Sequence, residues 1–234
     1  MLRREHLREF YALLDALEER LSGTRCLSAC TGGMWWPGRG VYFFRESGEV
    51  RTDSGTGARV VRVGTHALKA GSRTTLWNRL SQHRGTARSG GGNHRGSIFR
   101  LIVGTALIGR DGMCCPTWDN GRSSATREVR EGEQSIEQAV SKVIGEMPIL
   151  WLAIEDEPGP DSLRGYVEKN AIALLSNYGK QAVDPPSRTW LGHYCNREKV
   201  RTAGLWNSNH VEEAYDPAFL DTFSHLIRQK ESET

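Results

Sequence analysis

Apolar residues recur at helical spacing through the first twenty positions. Leu7, Phe10, Leu13, Leu14, Leu17 and Leu21 fall on one stripe, and Ser22-Gly23 supplies a stop, so a helix is predicted over 3–22. The pattern then changes. After the glycine-rich run Thr31-Gly-Gly-Met-Trp-Trp-Pro-Gly-Arg-Gly40 come two blocks of β-branched and aromatic residues, Val41-Tyr-Phe-Phe44 and Val60-Val-Arg-Val63. A turn-rich stretch with Gly48, Gly55 and Gly57 separates them, which predicts an antiparallel hairpin. Leu76 and Leu80 mark a helix over 74–84, 84–95 is a polar, glycine-rich loop, and 97–108 is apolar enough to be helix or strand. Further on, 136–144 reads as helix, 149–154 as strand and 162–175 as helix. Asp216-Pro217 reads as the N-cap and first turn of a last helix reaching about Gln229.

Composition narrows the class. The 234 residues are 38% hydrophobic and 25% charged, with a net charge of +3, which fits one generous globular domain or two small ones and excludes disorder as the main state. The longest clean apolar run, Pro148 to Ile154, is far short of the ~20 residues of a membrane span. Met1-Leu-Arg-Arg-Glu-His lacks the apolar stretch of a signal peptide, and five unframed cysteines suit a reducing compartment, so the expectation is cytoplasmic. No Walker-type glycine loop is present, which argues against a nucleotide hydrolase.

The net charge hides its own distribution. Residues 51–110 hold eleven Lys and Arg against one acid, Asp53, while 111–234 are acidic. A block of this kind is the electrostatic footprint of a polyanion site, although a solvated basic face would look the same in sequence.

Two helices break their own amphipathic rule. Between 74 and 84, Arg79 and His83 share an arc with Leu76 and Leu80, and in 162–175 Glu168 falls between Leu175 and Ile172 on the helical wheel. Polar groups on a face meant for burial cost stability unless they meet a partner. Taken alone, a structural ion pair explains them as well as function does, Glu168 with Arg79 for instance. The strand 41–44 places Val41 and Phe43 on one face and Tyr42 and Phe44 on the other.

In order along the chain stand Gly40-Val41-Tyr42, Arg62-Val63-Gly64, then Leu76-Trp-Asn-Arg79-Leu80-Ser-Gln-His83, His94, and Glu168 on a later helix. This succession resembles the GIY-YIG nuclease family over roughly 38–180. The resemblance implies a small α/β domain, a three-stranded antiparallel sheet flanked by helices, that hydrolyses a DNA phosphodiester with one Mg²⁺ or Mn²⁺. It implies Tyr42 at the attacking water, Arg79 on the scissile phosphate, His83 bonded to the tyrosine or the phosphate, and Glu168 on the metal. His94 follows the glycine-rich loop where some members carry a further catalytic histidine. The supporting asparagine of the family is matched by Asn177 or Asn170. Arg62 stands where the family has its second tyrosine, which leaves open a catalytically inactive nucleic-acid-binding module of the same fold. Arg62, Lys69, Arg73, Arg84 and Arg95 of the basic block are then candidate DNA contacts, and double-strand cutting by one metal site per chain would favour a homodimer.

The expected organisation is an N-terminal helix and loop over 1–37, the nuclease-like domain over 38–180 with an insertion at about 110–147, and a C-terminal extension over 181–234 packed on the same domain. Other constellations carry less. Trp35-Trp36 could stack on a base but more often packs, and Gly204-Leu-Trp-Asn-Ser-Asn-His210 is dense in side chains suited to base edges or to a structural loop. Cys26 with Cys30 and the Cys114-Cys115 pair lack zinc-knuckle spacing.

Overall fold

The computed structural model describes residues 2–121 and 123–229. Its centre is an antiparallel sheet of four strands, β1 (Arg25–Cys26), β2 (Gly40–Val50), β3 (Ala58–Gly64) and β4 (Pro148–Ala153), in the order β1-β4-β2-β3. The expected three strands are present, with β4 beside the hairpin. The fourth is the two-residue β1, too short to leave a periodic trace, which pairs with β4 through Arg25 and Ile149.

Alternation along β2 divides the core in two. Val41 and Phe43, with Val63, Leu150 and Leu152, face α1 (Leu2–Arg20), α6 (Leu163–Leu175) and α8 (Phe219–Arg228). Tyr42 and Phe44, with Val61, Ile149 and Trp151, face α2 (Leu76–Arg84), α3 (Ile98–Asp111) and α5 (Gln134–Gly145). Two small helices, α4 (Arg127–Gly132) and α7 (Glu198–Ala203), complete the set. Helix α1 packs on α8 and α6, so the N-terminal helix shares one core with the C-terminal segment.

Local chemistry explains the boundaries. Ser22 and Gly23 adopt φ of 59° and 101° and end α1. The apolar stretch after 97 resolves as helix because the Ser97 side chain caps the Arg100 amide and Gly112, in the left-handed region, closes the far end. Helix α8 starts at Phe219, later than Asp216-Pro217 suggests. Asp216 instead accepts the Ala218 amide and the Tyr166 hydroxyl ahead of the first turn.

The hairpin register places the glycines of the sequence pattern. Tyr42 pairs with Gly64, and a Cβ on Gly64 would overlap the Tyr42 ring and hydroxyl. A Cβ on Gly40 would press on the Leu152 carbonyl across β4. Between Phe44 and Arg45 the register shifts, so that Val61 and Arg62 both reach the α3 side of the sheet. The exposed edge of β3 is covered by the segment ending at Asn207. The Trp206 amide donates to the Val61 carbonyl (2.7 Å), and the Asn207 side chain takes the Val63 amide (3.1 Å) and gives to its carbonyl (2.9 Å).

Gly64→Ala must displace the Tyr42 ring from a packed core. We expect a loss of about 1–3 kcal/mol in urea denaturation, and an unchanged midpoint would refute the register argument.

Candidate active site

A cleft of about 430 Å³ opens between the end of the hairpin, α2, α6 and the 207–210 loop, lined among others by Tyr42, Arg62, His66, Arg79, Glu168 and Asn207. Each element delivers one group. Tyr42 comes from β2, Arg62 from β3, Arg79 and His83 from α2, and Glu168 from α6.

The tyrosine is buried and its hydroxyl shares a 2.8 Å hydrogen bond with His83 Nε2. His83 Nδ1 is in turn 2.7 Å from Ser97 Oγ, which also accepts the Arg100 amide at 3.3 Å. Burial holds the His83 pKa well below its ordinary value, reinforced by the charges of Arg79, Arg62 and Arg100. The ring is therefore neutral near pH 7, with one nitrogen donating and the other accepting.

Arg79 is half-buried and donates to Gln82 Oε1 (3.1 Å) and the Gly96 carbonyl (3.2 Å), with no carboxylate partner among the described residues. The Glu168–Arg79 pair that sequence alone allows does not form. Instead Glu168 Oε1 accepts the Thr65 amide (3.1 Å), and the Thr65 hydroxyl donates to the Gly40 carbonyl (2.8 Å), joining α6 to both hairpin strands. Burial raises the Glu168 pKa, while Arg62, His210, the Thr65 amide and Arg79 work against the rise.

Not every expected residue reaches the cleft. His94 is buried against Trp118, and its amide and Nδ1 both donate to Glu137 Oε1, at 2.6 and 2.9 Å. Glu137 also grips Arg100, whose Nη1 donates to the His83 carbonyl (2.8 Å), so His94 belongs to a network behind His83 and not to the reacting surface. Asn177 bonds Arg3 and the Val183 amide, and Asn170 bonds the Asp216 amide and the Tyr166 carbonyl. The asparagine beside the site is Asn207. Arg95 is ion-paired with Glu133 at 2.6 Å, and Arg84 donates to the Cys30 carbonyl and lies over Trp77. Lys69 and Arg73 are exposed beside the cleft residues Leu68 and Thr74.

Other expectations resolve in the same way. Trp36 stacks on Trp77 and packs on Trp151, whereas Trp35 is 63% exposed. Ser208, Asn209 and His210 line the cleft while Asn207 is spent on β3. The five cysteines are free.

Sequence reasoning missed His66 and Ser97. His66 lines the cleft at 6% exposure, shares a long 3.4 Å contact with the Gly38 carbonyl, and has no partner at Nδ1. Burial, above all, lowers its pKa to about 4. Behind it Arg164 donates to the His66 carbonyl at 2.6 Å and ion-pairs with Asp156. Ser97 could have been found as the N-cap of α3, since Ser-x-x-Arg opens an apolar helical run there.

The chain matches the family model described as GIY-YIG domain over residues 1–233 and belongs to that family, a family of nucleases. The match takes in the terminal segments as well as the central domain. No curated protein and no solved structure matched the chain. No helix among the described residues is long and apolar enough to cross a membrane.

His66 binds a proton less readily folded than unfolded, so folding weakens as pH falls from about 6.5 toward 4. Between pH 8 and pH 5 this one group costs about 2 kcal/mol. Urea titrations at the two pH values should show His66→Gln losing less stability than wild type by roughly that amount; equal losses would refute it.

Proposed function

We propose that the chain is a metal-dependent DNA endonuclease, cutting a phosphodiester at the site formed by Tyr42, His83, Arg79 and Glu168. The observation that carries this reading is the convergence of Tyr42, Arg79 and Glu168, from three separated parts of the sequence, on one cleft, with His83 hydrogen-bonded to Tyr42 behind it. Arg79 has a planar fork of donors and no carboxylate partner among the described residues, as a group reserved for phosphoryl oxygens would.

Tyr42 and His83 supply a proton path. With Nδ1–H donating to Ser97 Oγ, Nε2 accepts from the Tyr42 hydroxyl. As water attacks phosphorus, Tyr42 takes the water proton and passes its own to His83. Burial is the main reason His83 is a weak base and the Arg79 charge a lesser one, so bound phosphate, by offsetting that charge, returns part of its basicity when substrate is in place. Because Tyr42 is sealed in the free chain, engagement of Arg79 by phosphate has to uncover its hydroxyl.

Mg²⁺ or Mn²⁺ fits the donor set. Glu168 offers one carboxylate whose Oε2 makes no hydrogen bond among the described residues, and no cluster of three or more metal-ligating side chains is present among them. A hard cation that keeps its waters and shares substrate phosphate suits such a site, where it would stabilise charge on the phosphoryl and leaving oxygens. Weak binding in the absence of DNA follows.

Arg62 at the place of the second tyrosine favours a second reading, a nucleic-acid-binding module without catalysis. Plasmid DNA with Mg²⁺ or Mn²⁺ separates the two. Wild type should cleave, Arg79→Ala should lose about 10²–10³-fold, and Glu168→Ala should bind DNA without cutting it. Binding without cleavage by wild type would establish the module instead. Cutting of both strands would call for two chains or sequential nicks.

The basic block contributes less charge than its sequence suggests. Arg59, Arg95, Arg100 and Arg110 are ion-paired to Glu49, Glu133, Glu137 and Asp111. Arg51, Arg62, Lys69, Arg73, Arg79, Arg84 and Arg88 remain without such a bond. At about 0.9 per phosphate neutralised, the log–log salt slope of duplex binding should be no steeper than about −6. A slope near −10, measured by fluorescence anisotropy, would overturn this count.

A further inference from the structure

Among the described residues, the buried arginines fall into two groups. Arg45, Arg59, Arg100 and Arg164 each bond a carboxylate, from Glu18, Glu49, Glu137 and Asp156. Arg62 is 5% exposed and bonds none. One terminal nitrogen donates to the Trp206 carbonyl, the guanidinium lies 4.6 Å over the Phe99 ring, and its Nε is buried without a partner. The cleft carboxylate, Glu168, is turned to the Thr65 amide and forms no ion pair with it. An arginine keeps its charge even when burial lowers its pKa, as here. A buried cation without an ion pair costs folding free energy, which Tyr42 and the charge of Glu168 offset here only in part. Chains retain such a group where a ligand completes it.

We propose that Arg62 is an anion-binding residue whose counter-ion is a phosphodiester oxygen of the nucleic acid, seated in the cleft beside the phosphate held by Arg79. The inference rests on the phosphodiester reading for its ligand, and it gives the residue at the second-tyrosine position a role that a phenol cannot fill. Trp206 and Phe99 fix the guanidinium plane before substrate arrives, so the fork is oriented in advance and little side-chain entropy is lost on binding. Regular pairing of Arg62 with Phe44, in register with Gly64 opposite Tyr42, is what puts Arg62 on this side of the sheet, together with Tyr42.

The test is thermal denaturation in EDTA at constant ionic strength, comparing chloride with inorganic phosphate and with dimethyl phosphate. Either phosphate should raise the wild-type Tm by about 3–5 °C at roughly ten times its Kd. Arg62→Met and Arg62→Gln should lose the rise, Arg62→Lys should keep part of it, and Arg110→Met, at an arginine already paired with Asp111, should keep all of it. A response to inorganic phosphate but not to the diester would replace the diester with a terminal phosphate and overturn the assignment of ligand. No rise in wild type, or an undiminished rise in both neutral variants, overturns the proposal outright. Should those variants fail to fold, the Arg62 Nε–H resonance of ¹⁵N-labelled wild type decides. It must move on addition of dimethyl phosphate, and a signal that stays in place refutes the contact. Plasmid cleavage in parallel separates this idea from the nuclease reading. An anion response without cleavage sinks the nuclease and keeps the Arg62 site, whereas cleavage without an anion response does the reverse.

Discussion

The antiparallel pairing of β2 with β3, with Gly64 set opposite Tyr42, is the constraint on which the rest of the structure depends. Only a residue without a Cβ leaves room for the phenol to lie across the neighbouring strand. Tyr42 then reaches His83 on α2, and the next residue after the glycine, Thr65, is placed to give its amide to Glu168 on α6. One glycine thus fixes the relation between a strand and two helices on opposite faces of the sheet. Its companion, Gly40, lets β4 approach β2 at the same end. A motif that looks like a string of small and aromatic letters is therefore a packing rule. The chemistry is attached to it because the cleft lies at that end of the hairpin.

How much of this was legible in sequence depends on whether a residue violated a local pattern. Arg79, His83 and Glu168 did, each sitting on a stripe of leucines or isoleucines, and all three lie in or directly behind the cleft. Tyr42 was marked by the family resemblance, and strand alternation gave only the face it shares with Phe44. His94 and Asn177 had no such signature, and both turn out to be tied into buried hydrogen bonds away from the cleft. His66 was illegible and Asn207 was marked only as part of the polar 204–210 segment. They lie in segments without periodicity, and only the pairing of the 206–207 segment with β3 and the turn after Gly64 bring them to the site. The fourth strand was lost in the same way, since two residues cannot establish a period of two.

Charge was legible as composition but not as field. The excess of basic residues over 51–110 is cancelled in part by acids from elsewhere, since Glu133 and Glu137 come from the acidic C-terminal half and meet Arg95 and Arg100 in space. What those pairs do is mechanical. Glu137 joins His94 and Arg100, and Arg100 holds the His83 carbonyl, so a buried ion pair sets the position of a neutral imidazole behind the cleft. Breaking such a pair from one side strands the other charge, which makes the network costly to lose and a firm support for the helix it anchors.

The charges left over are the informative ones. Arg62 and Arg79 sit on the same cleft with no carboxylate bond, facing one acid that is already committed to the Thr65 amide. Burial of His83 first, and then the charges of Arg79, Arg62 and Arg100, depress its basicity, and the burial of these cations costs folding free energy in the unliganded chain. An anion would relieve the share that the cations contribute. On the proposed reading the weak base and the unpaired guanidinium are linked, since the groups that would bind phosphate also help to keep the proton acceptor weak. The chain would then give up stability in the empty cleft and recover it where a phosphodiester supplied the missing negative charge.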